Sequence, residues 1–151
     1  MEAIDARLHE LAAAGLGPDL TVLIGFSQGA CLLAEHLVRA PRGYRGVVLL
    51  TGGYLGPEGE AKSATGTLPG TAVLLSSSVV DEWVPPSRVR ETAELLRRMG
   101  ADVTLRLHDA PEHGVSDEEV VAVRELLAAT AVNPAPEPTA RPPAPGWSCG
   151  Q

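Results

Sequence analysis

The sequence predicts an α/β fold in which a mostly parallel sheet is covered by helices on both faces. Short apolar runs alternate along the chain with segments of helical periodicity, and two of those runs show no polar alternation. Strands that alternate with helices form parallel sheets, and strands buried on both faces are apolar throughout. In such sheets we expect ligand sites at the C-terminal ends of the strands.

The first half of the chain predicts two helices and two strands. Helical spacing of Ile4, Leu8 and Leu11 predicts a helix over residues 1–14, and an apolar run predicts a strand over 20–24. The next helix ends at Pro41, because proline interrupts helical hydrogen bonding, and a second apolar strand covers 47–50. Residues 51–70 are rich in glycine and lack periodicity. A loop of this length is often functional.

The second half repeats the alternation. Residues 72–75 predict a third strand that continues into three serines at 76–78, and a helix follows over 86–100. Alternating residues over 103–107 predict a half-exposed strand near a sheet edge. Ser116 and Glu119 have the spacing of a capping box that starts the last helix. The apolar face of that helix is expected to consist of Val120, Val123 and Leu127.

Composition limits the classes of function. The chain has 151 residues, which predicts one domain over 1–132, and its net charge of −7 argues against nucleic acid or an anionic membrane surface as partner. The segment 133–151 is dominated by proline, glycine and alanine, so we expect a disordered tail. Cys31 and Cys149 form no recognisable disulfide or metal pattern. The absence of a secretory signal pattern or a long apolar run makes the cytoplasm the expected compartment, without stable membrane insertion.

A G-x-S-x-G motif places Ser27 between a strand and a helix. The segment GFSQG over residues 25–29 follows the strand over 20–24 directly. In a nucleophile elbow the serine lies on a sharp turn, glycines on both sides relieve crowding, and the N–H of the next residue points at the reacting oxyanion. The alternative interpretation is a tight turn in which the serine caps the helix.

A nucleophilic serine needs a histidine base and a carboxylate that orients the base. Asp81 follows the third strand, and His113 follows the last strand, so both lie at the sheet edge where the elbow ends. His108 is the rival base, since it ends the last strand. Glu82 is the rival carboxylate.

These segments resemble the phospholipase/carboxylesterase family of α/β-hydrolases, which includes the acyl-protein thioesterases. The segment LTVLIGFSQGACLLAEHL resembles the elbow region of that family, and DEWVP over 81–85 resembles its acid loop. The segment EHGVS over 112–116 is similar to its G-H-x-x-S histidine loop, with Glu112 where glycine is common. The TGGYL segment over 51–55 resembles the loop that lines the acyl pocket.

The resemblance implies an α/β-hydrolase fold and a set of site residues. The implied catalytic triad is Ser27, Asp81 and His113, and Gln28 is an implied oxyanion donor. The implied substrate-binding residues are Tyr54, Leu55 and Trp83. The expected reaction is hydrolysis of a small-molecule carboxylic ester or thioester, which requires no cofactor and no metal.

The resemblance also implies further strands and an H-G loop ahead of the elbow, which residues 1–24 do not contain. We therefore expect an N-terminally incomplete fold with an exposed edge on the strand before Ser27. Such an edge favours pairing with another chain, so a homodimer is an expected partner arrangement. Loss of one oxyanion donor costs about 100- to 1000-fold in rate.

Two other functions remain open. The first is a catalytically weak or inactive hydrolase fragment or pseudoenzyme. The second is a nucleotide- or phosphate-binding α/β module, suggested by Thr51-Gly52-Gly53 after a strand, although the sequence holds no G-x-G-x-x-G or Walker pattern.

Overall fold

The computed structural model describes residues 2–57, 62–64, 66–109 and 113–131. Its elements in chain order are α1 (Glu2–Ala13), a 3₁₀ turn (Pro18–Leu20), β1 (Val22–Phe26), α2 (Gln28–Arg39), β2 (Gly46–Leu50), β3 (Ala72–Ser78), α3 (Pro86–Arg98), β4 (Asp102–His108) and α4 (Asp117–Ala131). The predicted disordered tail over 133–151 and the predicted domain end at 132 lie outside these described residues.

The four strands form one parallel sheet in the order β1-β2-β3-β4. Phe26 pairs with Leu50, and Leu50 pairs with Ser76, so the C-terminal ends of β1 and β2 lie side by side next to β3. The sequence therefore predicted the parallel sheet correctly, together with the edge position of β4. The serines at 76–78 belong to β3 and are buried there.

Helices pack on both faces of the sheet, with one apolar core on each face. On one face α2 and α3 pack against the strands, with Leu37, Leu49 and Leu75 fully buried. On the other face α4 packs against β2 and β3. Its core contains Val48 and Leu74. Because residues alternate between faces along a strand, each buried strand contributes to both cores.

The expected exposed edge on β1 is present among the described strands, whereas the prediction that β1 is buried on both faces is wrong. β2 is buried at every position, but Ile24 and Phe26 of β1 are 52% and 41% exposed. By register, Ile24 and Phe26 lie beside Val48 and Leu50, on the face where α4 packs. α4 covers β2 and β3 on this face and leaves the two β1 side chains uncovered. β1 is also the edge strand of the described sheet.

The predicted apolar face of α4 is only partly correct. Val123 packs into the core, but Val120 and Leu127 are each 38% exposed. The residues that face the sheet are Glu119, Ala122, Val123 and Leu126. The helix is rotated relative to the prediction and places a glutamate and an alanine inward. The sequence pattern favoured the larger apolar side chains instead.

Candidate active site

Ser27 lies on the sharp turn between β1 and α2. Its backbone has φ 51° and ψ −119°, and its N–H donates to the carbonyl of Leu50 at 2.9 Å. Positive φ in a residue other than glycine is a strained conformation that occurs often at functional sites. The Ser27 side chain makes no capping hydrogen bond to α2, which argues against the helix-capping interpretation.

Of the two glycines of the motif, only Gly25 is explained by crowding. A Cβ on Gly25 would lie 2.7 Å from backbone atoms of Gly29 and Ala30. A Cβ on Gly29 would meet nothing within 4 Å outside its own helix. The expectation that both glycines relieve steric conflict is therefore wrong for Gly29. The strand before the turn runs so close to the helix after it that Gly25 has no room for a side chain.

The structure brings His113 between Ser27 and Asp81. His113 Nε2 lies 2.8 Å from the Oγ of Ser27, and His113 Nδ1 lies 2.7 Å from Oδ2 of Asp81. An ionised carboxylate only accepts hydrogen bonds, so Nδ1 carries the proton and Nε2 is left to accept from the serine hydroxyl. This tautomer suits a base that removes the Ser27 proton.

The Asp81 side chain is buried and held by its own loop. Its side chain is 1% exposed, and Oδ1 accepts the backbone N–H groups of Trp83 and Val84, each at 2.8 Å. Burial alone would raise the pKa of Asp81, but the hydrogen bonds from His113 and the two N–H groups outweigh it and lower the pKa. The carboxylate is therefore ionised at neutral pH, with Oδ2 left to orient His113.

The rival residues occupy other surroundings. Nε2 of His108 lies 3.3 Å from Oε1 of Glu119, beside a cavity of about 590 Å³ between β4 and α4 whose lining contains neither Ser27 nor His113. Glu82 is exposed. Gln28 is the first residue of α2, so its N–H has no acceptor within the helix and lies at the positive end of the helix dipole.

A cleft of about 210 Å³ lies near the serine, although its lining also contains neither Ser27 nor His113. Cys31, whose N–H donates to the Ser27 carbonyl, lines the cleft. Trp83, whose ring centroid lies 6.4 Å from that of His113, lines it too. The other lining residues are Gly53, Tyr54, Leu55, Gly56, Val84, Pro85 and Arg88. The three side chains expected to bind substrate, those of Tyr54, Leu55 and Trp83, therefore share one cleft.

The family model for phospholipases/carboxylesterases matches residues 1–131. The chain belongs to the phospholipase/carboxylesterase family. This assignment confirms the resemblance and the α/β-hydrolase fold predicted from the sequence.

Solved structures of the family agree with the described fold. The chain is similar to the phospholipase/carboxylesterase from Dyadobacter fermentans, with 33% identity and a TM-score of 0.78, over 82% of this chain and 60% of that chain. It shares the fold of the Bacillus cereus carboxylesterase, with 22% identity and a TM-score of 0.72, over 85% of this chain and 59% of that chain. The chain thus spans about 60% of the length of these structures. A comparison with curated proteins found no match.

In this family member, the wall of the cleft is held by buried charges that the sequence analysis missed. The Glu35 side chain is 2% exposed, accepts the N–H of Leu55 at 3.1 Å and pairs with Lys62. The guanidinium of Arg88 lies 4.3 Å from the centroid of the Tyr54 ring and donates to the carbonyls of Gly56 and Pro57. Buried charges require such partners. The sequence offered one signal for these contacts, which is that Glu35 and Arg88 are charged residues on the apolar sides of α2 and α3.

The glycines after β2 serve packing. A Cβ on Gly52 would lie 2.4 Å from the Cβ of Ala30 in α2, and a Cβ on Gly53 would lie 2.7 Å from Oγ1 of Thr92 in α3. Both positions face protein at contact distance, which argues against a phosphate cradle at Thr51-Gly52-Gly53. Within the described ranges, no group of three or more His, Cys, Asp or Glu side chains is placed to hold a metal ion. No helix in those ranges is long and apolar enough to cross a membrane.

Proposed function

We propose that this chain hydrolyses carboxylic esters or thioesters through an acyl-enzyme, with Ser27 as nucleophile, His113 as base and Asp81 as orienting carboxylate. The hydrogen-bonded series from Asp81 through His113 to Ser27, with contacts of 2.7 and 2.8 Å, carries this proposal. Membership of the phospholipase/carboxylesterase family supports it.

The proposed reaction has two halves. His113 Nε2 removes the hydroxyl proton as Ser27 Oγ attacks the substrate carbonyl, and Asp81 stabilises the resulting imidazolium. The N–H of Gln28 donates to the oxyanion. His113 then gives its proton to the leaving alkoxide or thiolate. Water, deprotonated by His113, then attacks the acyl carbon. The bond to Ser27 Oγ breaks, Oγ takes the proton back from His113, and the carboxylic acid leaves.

The acyl group of the substrate would occupy the cleft beside Ser27. Its walls contain the aromatic and aliphatic side chains of Tyr54, Leu55 and Trp83, which suit a hydrocarbon chain. The ester or thioester carbonyl would then lie between Ser27 and the N-terminus of α2. The proposed partner is thus a small molecule whose acyl part is apolar.

The rate of this chain is part of the proposal. Relatives of known structure are longer, and the family resemblance implies a second oxyanion donor from an H-G loop upstream of the matched elbow. Removing one such donor costs about 100- to 1000-fold in rate. The described residues supply one identified donor, the Gln28 N–H, so we propose slow turnover when residues 1–151 are assayed alone. A chain that folds but does not react with a serine-directed phosphonate would instead favour the alternative of a catalytically inactive hydrolase.

Labelling with a fluorophosphonate tests the nucleophile, because the reagent phosphonylates a serine activated by a base. We expect label on Ser27 by peptide mapping, loss of label in Ser27→Ala and unchanged label in Ser63→Ala, which alters an exposed loop serine. Label that maps to Ser76, Ser77 or Ser78 contradicts the proposal, and so does label that survives in Ser27→Ala.

A further inference from the structure

One buried carboxylate contacts both ends of the segment that carries His113. That segment runs from the last residue of β4, His108, to Ser116, the residue before α4. Oε2 of Glu119 accepts the Ser116 N–H at 2.8 Å and the Ser116 hydroxyl at 3.2 Å. Its other oxygen, Oε1, lies 3.3 Å from Nε2 of His108, a contact without hydrogen-bond geometry that becomes an ion pair when His108 is protonated.

A capping box alone does not account for this arrangement. The N–H of Glu119 donates to Ser116 Oγ at 3.2 Å, so the box is complete without any contact to β4. Capping glutamates work equally well at the surface, whereas the Glu119 side chain is 2% exposed. It occupies a position on α4 that faces the sheet, where an apolar residue would avoid the cost of burying a charge.

Glu119 remains charged in this position. Burial alone would raise the pKa of Glu119, but the hydrogen bonds from Ser116, together with the interactions with Ser76 and His108, lower it below its ordinary value. An ionised, buried carboxylate holds its partners more firmly than a neutral amide does, because hydrogen bonds to charged acceptors are shorter and stronger.

We propose that Glu119 is a positioning residue that fixes the His113 loop at both of its ends, and this proposal rests on the triad proposed above. His113 lies three residues before Ser116 within the described stretch 113–131, so a shift of Ser116 moves the imidazole relative to Ser27. A displacement of about 1 Å at a reacting group costs about 100-fold in rate. Glu119 touches neither Ser27 nor the cleft, so its loss should lower kcat and leave KM unchanged.

The test compares Glu119→Ala, Glu119→Gln and the control Glu118→Gln, which alters the exposed neighbour on the same helix turn. We expect Glu119→Ala to reduce the rate constant of Ser27 phosphonylation by about 100-fold. Glu119→Gln should lose less, because the amide still accepts from Ser116. Glu118→Gln should match the wild type. With a fluorogenic ester, the Glu119→Ala loss should appear in kcat.

Imidazole NMR gives a readout that does not depend on turnover. In Glu119→Ala the signal of the proton between His113 Nδ1 and Asp81 should shift or broaden, while the ring signals of His9, exposed on α1, should stay unchanged. If Glu119→Ala does not fold, Glu119→Gln and His108→Gln, which conserve side-chain volume more closely, replace it. Each should then label more slowly than Glu118→Gln and shift the His113 signal.

The outcomes separate the two proposals. Wild-type labelling rates and unchanged His113 signals in folded Glu119 variants overturn the positioning role. A fall in melting temperature without a fall in kcat overturns it too, because that pattern belongs to a simple helix cap. If wild-type Ser27 does not label at all, the proposed function fails, and the His113 signals still decide whether Glu119 holds the loop.

Discussion

The Oγ of Ser27 lies 2.8 Å from Nε2 of His113, although 86 residues separate them in the chain. The contact depends on the parallel sheet. Ser27 follows the C-terminal end of β1, and the segment with His113 follows the C-terminal end of β4, so both lie at the C-terminal ends of the parallel strands. Asp81 arrives there after β3 and holds the other ring nitrogen of His113 at 2.7 Å.

Replacing His113 tests whether this contact is catalytic. We expect His113→Ala to lower ester turnover by about 10⁴-fold or more, because His113 is the base in hydrogen-bond contact with Ser27 Oγ among the described residues. The control is His9→Gln on the exposed face of α1, which should keep the wild-type rate. Comparable losses in both variants would show that the effect comes from folding rather than from the base.

The proximity of Ser27, Asp81 and His113 was predictable from sequence because each residue follows a recognisable strand. Parallel strands bring their C-terminal ends together, so position after a strand narrowed the base to His113 or His108 and the carboxylate to Asp81 or Glu82. The choice between His113 and His108 was harder, since both lie near the end of β4. The deciding contact, that of His108 with Glu119, depends on how α4 packs against the sheet.

Other features were not predictable because they depend on neighbours distant in the sequence. The apolar residues of β1 predicted burial, yet Ile24 and Phe26 are exposed where α4 does not reach. Glu35 lies among buried residues of α2 that are mostly apolar. Its partner Lys62 lies in a loop without periodicity. Such a contact leaves no regular pattern in the sequence.

Cys31 tests the assignment of the cleft. Its side chain lines the cleft one helical turn after Ser27, so Cys31→Phe should fill space that a long acyl chain needs. We expect kcat/KM for an octanoyl ester to fall about tenfold or more, while an acetyl ester is little affected. Cys31→Ser, which keeps the side-chain volume, should leave the ratio of kcat/KM for the octanoyl ester to kcat/KM for the acetyl ester unchanged. Equal losses for both esters in Cys31→Phe would place the acyl chain elsewhere.

Glu35 tests how the cleft wall is held. Burial alone would raise the pKa of Glu35, but hydrogen bonds from Lys62, Arg39 and the Leu55 N–H lower it. Because its cationic partners are partly exposed, we expect Glu35→Gln to lower the free energy of unfolding at pH 7 by about 1–2 kcal/mol. Urea titrations measure this difference.

The pH dependence of that difference has a definite sign. With a lowered pKa in the folded state, the unfolded chain binds the proton first as pH falls below the ordinary Glu value of about 4.3. The stabilisation by Glu35 is therefore complete above that value and is lost in acid, so wild type and Glu35→Gln should converge as pH falls. Glu10→Gln, which removes an exposed pair with Arg7, should change stability by less than about 0.5 kcal/mol at any pH. A difference that grows in acid contradicts the assignment.

Ile24 tests whether the edge of the sheet mediates self-association. Ile24 is 52% exposed on β1, and β1 pairs only with β2 among the described strands. An exposed apolar edge strand favours pairing with a second chain, and a lysine on such a strand opposes it. In sedimentation experiments we expect the wild-type chain to associate with rising concentration and Ile24→Lys to remain monomeric. Val121→Lys replaces a side chain that is 51% exposed on α4 and should associate like the wild type. If Val121→Lys dissociates the chain and Ile24→Lys does not, association occurs through α4 and the β1 edge is excluded as the interface.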